Sequence, residues 1–171
     1  MREERVLVEL PDKRPTRQPS RIVGKDYSRN GAYFLTVCTK ERHYLLGKVQ
    51  DGEMHLSEIG IMVEEGLTKI EAIYPSVLLE SYVVMPNHVH MLIVLLDDEQ
   101  NPSVQTIVQQ WKGAITKKAK FPLWQDRFHD RIILRADIYR KIRNYIQNNP
   151  ALWKEDQFFE TDLQGPSAQS S

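Results

Sequence analysis

Residues 77–96 read VLLESYVVMPNHVHMLIVLL. Two apolar, β-prone runs, Val77 to Met85 and His88 to Leu96, are separated only by Pro86-Asn87, so the stretch predicts two adjacent antiparallel strands joined by a tight turn. Side chains alternate faces along a strand, so His88 and His90 point the same way, roughly 7 Å apart at Cα, while Val89 packs into the opposite face. Two neutral imidazole nitrogens at that separation can grip one divalent ion from one side. Taken alone, a His-x-His favours two partly buried, hydrogen-bonded histidines instead. Its place at the mouth of an apolar strand is what brings the metal reading forward.

Working outward, Ala32 to Thr39 (AYFLTVCT) is dense in aromatic and β-branched residues and predicts a strand. Lys48 to Glu53, with Asp51-Gly52, reads as a turn-rich stretch. Ser57 is an N-cap for a helix through Ile59, Val63, Leu67 and Ile70 that Pro75 ends. Ser103 caps a second helix, with Val104, Ile107, Val108, Trp111 and Ile115 inward and Lys112, Lys117, Lys118 and Lys120 outward. Leu123 to Leu134 predicts a last strand, irregular at its start. Asp137 caps a final helix, Ile138 to Asn149, stopped by Pro150. The order β-α-β-β-α-β plus one helix predicts an α+β fold of the ferredoxin-like, RRM-like kind. Two helices cover one face of its antiparallel sheet, and the other face is left for a ligand or the last helix. Residues 1–30, with Pro11, Pro15 and Pro19, read as a basic extended arm, 31–153 as the folded domain and 154–171 as a polar tail.

The 171 residues suit one domain with modest extensions, and 41% hydrophobic and 27% charged residues are ordinary for a soluble globular chain. Lys plus Arg and Asp plus Glu each total 23, so net charge points to no polyanionic partner. Their distribution does: basic blocks at Lys13–Arg29 and Lys112–Arg143 flank an acidic middle. Such blocks can form one positive face for phosphates, or be scattered solvated helix faces. Cys38 is the single cysteine, which excludes an internal disulfide framework or thiolate zinc cluster and fits a reducing cytoplasm. The N-terminus lacks a signal-peptide core, and the Val83–Leu96 run is too short and too interrupted to span a bilayer, so no membrane role is expected.

In the final helix Ile138, Ile142, Tyr145 and Asn149 share one stripe, with Tyr145 and Asn149 one turn apart and their Cβ atoms roughly 6 Å apart. A phenol and a carboxamide can therefore project into one pocket, although Tyr145 by itself reads as a core aromatic. A phosphodiester is a poor electrophile, and a tyrosine hydroxyl of pKa about 10 is a weak nucleophile. A divalent cation held by His88, His90 and one oxygen ligand, for which Asn149 is the candidate, would polarise the phosphate for attack by Tyr145. Covalent attachment would preserve the bond energy for rejoining a strand.

The Met85-Pro86-Asn87-His88-Val89-His90 element and the later Tyr145-Ile146-x-x-Asn149-Pro150 resemble the REP-associated tyrosine transposases of the insertion-sequence-200-like superfamily, which are HUH enzymes. Asp26-Tyr27-Ser28, Gly31 to Thr39 and Trp124 to Asp130 match as well, so the resemblance covers roughly residues 17–153. It implies an RNA-recognition-like fold, Mg²⁺ or Mn²⁺ on His88 and His90 with Asn149 as third ligand, Tyr145 as nucleophile, a 5′-phosphotyrosine intermediate, and single-stranded or hairpin DNA as substrate. Many relatives carry Gln where Asn149 stands, and either amide can ligate. Relatives differ in whether they dimerise and exchange the tyrosine helix, so monomer and homodimer both stay open.

Around this set, Lys112, Lys117 and Lys118 are expected to contact phosphate if DNA crosses their face. Arg14, Arg17, Arg21 and Lys25 would do so from the arm, and Tyr27 and Tyr33 are expected to stack bases. Tyr139 is a lesser candidate nucleophile, His129 reads as structural, and His43 and His55 as surface residues. Other readings fit the same residues: a non-catalytic single-stranded nucleic-acid-binding module, a domesticated repeat-binding protein, or a metal-dependent hydrolase with no covalent step.

Overall fold

The computed structural model describes residues 30–96 and 98–159. The arm, with Arg14, Arg17, Arg21, Lys25 and Tyr27, and the end of the tail lie outside the described residues.

The predicted pair of strands forms β4 (Val77–Met85) and β5 (His88–Leu95), aligned antiparallel with Met85 opposite His88. The hairpin loop is therefore only Pro86 and Asn87, and neither takes the positive φ that the favoured two-residue turns use. External bonds hold it instead: Leu46 N donates to Pro86 O at 3.0 Å, and Thr39 N donates to Asn87 O at 2.9 Å. All eight residues of β5 are buried, as the near-continuous apolar run requires of a strand covered on both faces.

The first strand, β1 (Gly31–Cys38), runs antiparallel to β5, and the sheet order is β4-β5-β1-β6, with β6 spanning His129–Ile133. This is the split βαβ order that the element pattern predicts. The last strand is shorter than expected. Trp124 makes only an isolated bridge to Thr39, with Gln125 N still donating to Cys38 O at 3.0 Å, while the Gln125 and Asp126 carbonyls accept from Lys112 Nζ at 2.6 and 3.3 Å instead of from a strand.

The stretch read as turn-rich is a hairpin, β2 (Gly47–Gln50) and β3 (Glu53–Leu56), closed by Asp51 and Gly52 at φ 53° and 75°. Asp-Gly is a strong two-residue hairpin signal. Helix α1 (Glu58–Thr68) starts where Ser57 Oγ accepts from Gly60 N at 3.0 Å, breaks at Lys69, and is followed by the short α2 (Ile70–Ile73). Helix α3 (Val104–Ala119) is capped by Ser103 and ends on Lys120 in the left-handed region, φ 65°. Helix α4 (Ala136–Asn148) begins before the predicted cap: Asp137 sits in its first turn, held by Arg135 at 2.8 and 2.9 Å, rather than at the N-cap.

The two sheet faces carry separate cores. Tyr33, Leu35 and Val37 of β1 with Val89, Met91 and Ile93 of β5 pack under α1 and α3. Ala32, Leu92 and Val94 face α4 through Tyr139, Ile142 and Ile146. The last helix thus covers the face left over by the first two. Among the described residues no helix is long and apolar enough to cross a membrane.

Candidate active site

His88 and His90 lie on the α4 side of the sheet, 0% and 1% exposed. Burial of two imidazoles in a central strand demands partners for their nitrogens. Asn87, itself buried, supplies one. Its Nδ2 donates to Phe158 O at 2.8 Å, so its Oδ1 is the atom 2.8 Å from His88 Nδ1. An amide oxygen only accepts, so Nδ1 carries the His88 proton and Nε2 keeps a bare lone pair. Thr36, opposite His90 in the β1–β5 ladder, sets its Oγ1 2.8 Å from His90 Nδ1. The two Nε2 atoms then face each other at 3.1 Å. Either His90 Nε2–H donates to His88, with Thr36 donating to Nδ1, or both Nε2 are bare around a cation, with Thr36 accepting from Nδ1. The rotatable hydroxyl serves both states.

Protonating the pair is disfavoured. Burial, then the neighbouring His90, holds His88 well below the usual histidine range, and burial brings His90 down to about 4 although Asp156 pulls the other way. Neutral imidazoles are the form that binds metal.

Tyr145 and Asn149 reach this pair from α4 of the same chain. The buried stripe of the helix is Tyr139, Ile142, Ile146 and Asn149, and Tyr145 stands at its edge, 37% exposed. Its hydroxyl lies 3.4 Å from His90 Nε2 and donates to Asp156 Oδ2 at 3.0 Å. Burial first, then the Asp156 charge, pushes the phenol up to about 12. Asn149 Nδ2 donates to the same Asp156 oxygen at 2.8 Å, which leaves Asn149 Oδ1 buried with no hydrogen-bond partner. Tyr139 is fully buried, and its hydroxyl donates to Glu80 at 3.2 Å.

Asp156 is the residue the sequence reading missed, in the stretch taken as tail. A 3-10 turn, Trp153–Glu155, leads into it, and its Oδ1 accepts from Phe158 N at 2.8 Å. Phe158 closes over the histidines, its ring centroid 4.4 Å from that of His88, while Trp153 stands at 5.9 Å. The available signal is aromatic density, Trp153, Phe158 and Phe159 in an otherwise polar stretch. Ligand atoms of His88, His90 and Asp156 lie within 4.8 Å of one another. Two bare nitrogens, a carboxylate and an orphaned amide oxygen suit a divalent cation of intermediate hardness.

The other expected contacts lie elsewhere. Lys112, Lys117 and Lys118 belong to α3, on the opposite side of the sheet from the histidines, and the Lys112 ammonium is engaged with two backbone carbonyls. Tyr33 is 1% exposed in the core beneath α1 and α3, so it cannot stack a base. His129 is exposed on β6, His55 is exposed on β3, and His43 is half-buried beside Glu41 at 3.3 Å.

No protein-family model matches the chain. An uncharacterized protein of Haemophilus influenzae is 28% identical over 167 residues, spanning 84% of this chain and 93% of its own. Among solved structures, a candidate transposase from Deinococcus radiodurans R1 is 23% identical, covers 75% of this chain and 97% of its own, and superposes with a TM-score of 0.47. A REP-associated tyrosine transposase solved bound to a REP hairpin is 23% identical and covers 76% of this chain and 72% of its own, with a TM-score of 0.60. The chain shares the fold of that REP-associated tyrosine transposase.

Proposed function

We propose that the chain is a metal-dependent endonuclease and strand transferase of the tyrosine HUH class, acting on single-stranded DNA beside a hairpin or repeat. One observation carries this reading: the Tyr145 hydroxyl lies 3.4 Å from His90 Nε2, at the open rim of two buried imidazoles whose Nδ1 atoms are engaged by Asn87 and Thr36. A mutual Nε2 hydrogen bond would satisfy a structural pair, but it would not call for a half-exposed phenol and a carboxylate gathered at the same point. The likeness to a transposase solved on a REP hairpin supports the choice of DNA.

In this reading His88, His90 and Asn149, joined by the Asp156 carboxylate, hold the metal. A Mg²⁺ or Mn²⁺ ion held by these residues would supply positive charge to polarise the phosphate and favour the phenolate. Tyr145 Oη attacks the phosphorus, the bond to the 3′-oxygen breaks, and a 5′-phosphotyrosine and a free 3′-hydroxyl result. The phenolic proton passes to Asp156, which already accepts it at 3.0 Å, and the departing 3′-oxygen takes up a proton. Attack by a 3′-hydroxyl on the phosphotyrosine reverses the step and rejoins a strand. The basic arm, through Arg14, Arg17, Arg21, Lys25 and Tyr27, extends the grip on DNA in the same proposal.

The test is to incubate the protein with 5′- or 3′-labelled stem-loop oligonucleotides and Mg²⁺ or Mn²⁺, and to look for a denaturation-resistant adduct. The adduct is expected with the wild type and absent with Tyr145→Phe. An adduct that survives in Tyr145→Phe removes the nucleophile, and cutting that survives in His88→Ala with EDTA removes the metal.

A further inference from the structure

A cleft of about 480 Å³ opens beside the histidine pair, lined by Phe34, Thr36, Arg42, His129, Arg131 and Phe158 among others. Its floor follows from strand register. Thr36 of β1 lies between His90 of β5 and His129 of β6, and Phe34 lies between Leu92 and Arg131. Side chains opposite one another share a face, so His129 and Arg131 of the edge strand stand on the same surface as the histidine pair. Asp130, between them, pairs with Leu35 of the helix-covered face in register, yet it too lines the cleft, so one carboxylate stands beside the two arginines. The Phe34 ring bridges the two regions, 5.2 Å from the His90 ring and edge-on to Tyr145 at 6.3 Å.

The far wall carries a second cation. Glu41 and Arg42 both adopt the left-handed region, φ 55° and 57°, an arrangement that two successive non-glycine residues rarely accept. That backbone brings the Arg42 guanidinium over the Phe158 ring, 5.1 Å from its centroid. Arg42, Arg131, an exposed imidazole and two aromatic rings thus converge on a space within the roughly 300–1,000 Å³ typical of small-ligand sites. Planar aromatic faces next to guanidinium forks match a base and its phosphate.

We propose that this cleft holds one unpaired nucleotide next to the phosphodiester presented to Tyr145, its base against Phe34 and its phosphate on Arg42 and Arg131. The proposal rests on the single-strand DNA reading above and names where that strand runs: from the histidine pair across β1 to the β6 edge, rather than over the lysines of α3.

The experiment uses the full chain and two fluorescein-labelled stem-loop DNAs, one with random-sequence single-stranded flanks and one blunt, with binding followed by anisotropy across a salt series. Arg42→Ala/Arg131→Ala is expected to bind the flanked DNA at least about tenfold more weakly, with the log–log salt slope shallower by about 0.7, the contribution of the one single-strand phosphate that both arginines hold. Phe34→Leu should weaken it roughly 5- to 100-fold with the slope unchanged. Binding to the blunt stem-loop should change little in either variant. Arg131→Glu, on an exposed edge-strand position, serves as a second variant in which the Arg42 loop is intact. Wild-type binding matched in affinity and slope by the arginine variants, or an equal loss on the blunt DNA, overturns the cleft and leaves the nuclease reading standing. A wild type that binds neither DNA overturns both.

Discussion

Asn87 Nδ2 donates to the Phe158 carbonyl, and that bond decides which His88 nitrogen carries the proton, so the state of a buried imidazole is set by a turn residue and a residue 71 positions away. The neutral pair leaves a pH signature in the metal-free protein. Unfolded histidines titrate near 6.5, whereas His90 is held at about 4 and His88 also lies low, so between pH 6.5 and about 4 the unfolded chain binds protons that the folded one does not. Their contribution to stability is present in full above pH 6.5 and is lost as pH falls through that window. Thermal melts in EDTA should show the midpoint falling across it, less steeply in His90→Gln; a flat midpoint would refute the assignment. Asp156→Asn removes one of the two main influences that raise the Tyr145 phenol. Its pKa, read by NMR on labelled tyrosine, should drop below about 12 yet stay above 10, because burial, the larger cause, remains.

At the scale of elements, the entry of α1 is pinned by close approach. A Cβ on Gly60 would stand 2.0 Å from the Leu46 carbonyl oxygen, whereas one on Gly113 in α3 would meet nothing within 4 Å. Gly60→Ala should therefore cost at least roughly 1–3 kcal/mol through backbone displacement, and Gly113→Ala should stabilise by about 0.5–1 kcal/mol. Equal effects in denaturant titration would contradict the packing at Leu46. Most elements were legible because each carries its own punctuation: Ser57 and Ser103 as caps, Pro86-Asn87 as a turn, and predominantly apolar runs for β4 and β5. The β2–β3 hairpin carried its Asp51-Gly52 signal too. The short β6 did not, because the Gln125 and Asp126 carbonyls before it are taken by a lysine on α3, a partner that no local pattern announces.

For the whole molecule, the stretch after α4 matters beyond its length. Phe158 seals His88, and Asp156 joins Tyr145 to Asn149, although both residues lie past Pro150, where the helical pattern stops. Phe158→Ala should open the pair to solvent and speed diethylpyrocarbonate modification of His88, mapped by mass spectrometry, from the slow rate expected of a side chain 0% exposed. An unchanged rate would mean that the ring does not exclude reagent. Cys38, buried and pushed up to about 11 by that burial, should react with thiol reagents only when the chain unfolds.

What the sequence by itself determined is local and periodic: the strand that aligns His88 with His90, the helix face that carries Tyr145 and Asn149, and the order of elements that makes the sheet. Alternation and helical repeat are properties of neighbouring residues, so they can be read along the chain. What only the tertiary structure decided is which distant groups meet. Asp156 beside Tyr145, Arg42 over Phe158, and His129 and Arg131 in line with Thr36 and Phe34 depend on strand register and loop closure. Charge runs along the chain pointed to the lysines of α3, but the sheet separates that helix from the histidines, and only the folded chain shows which basic residues share their face.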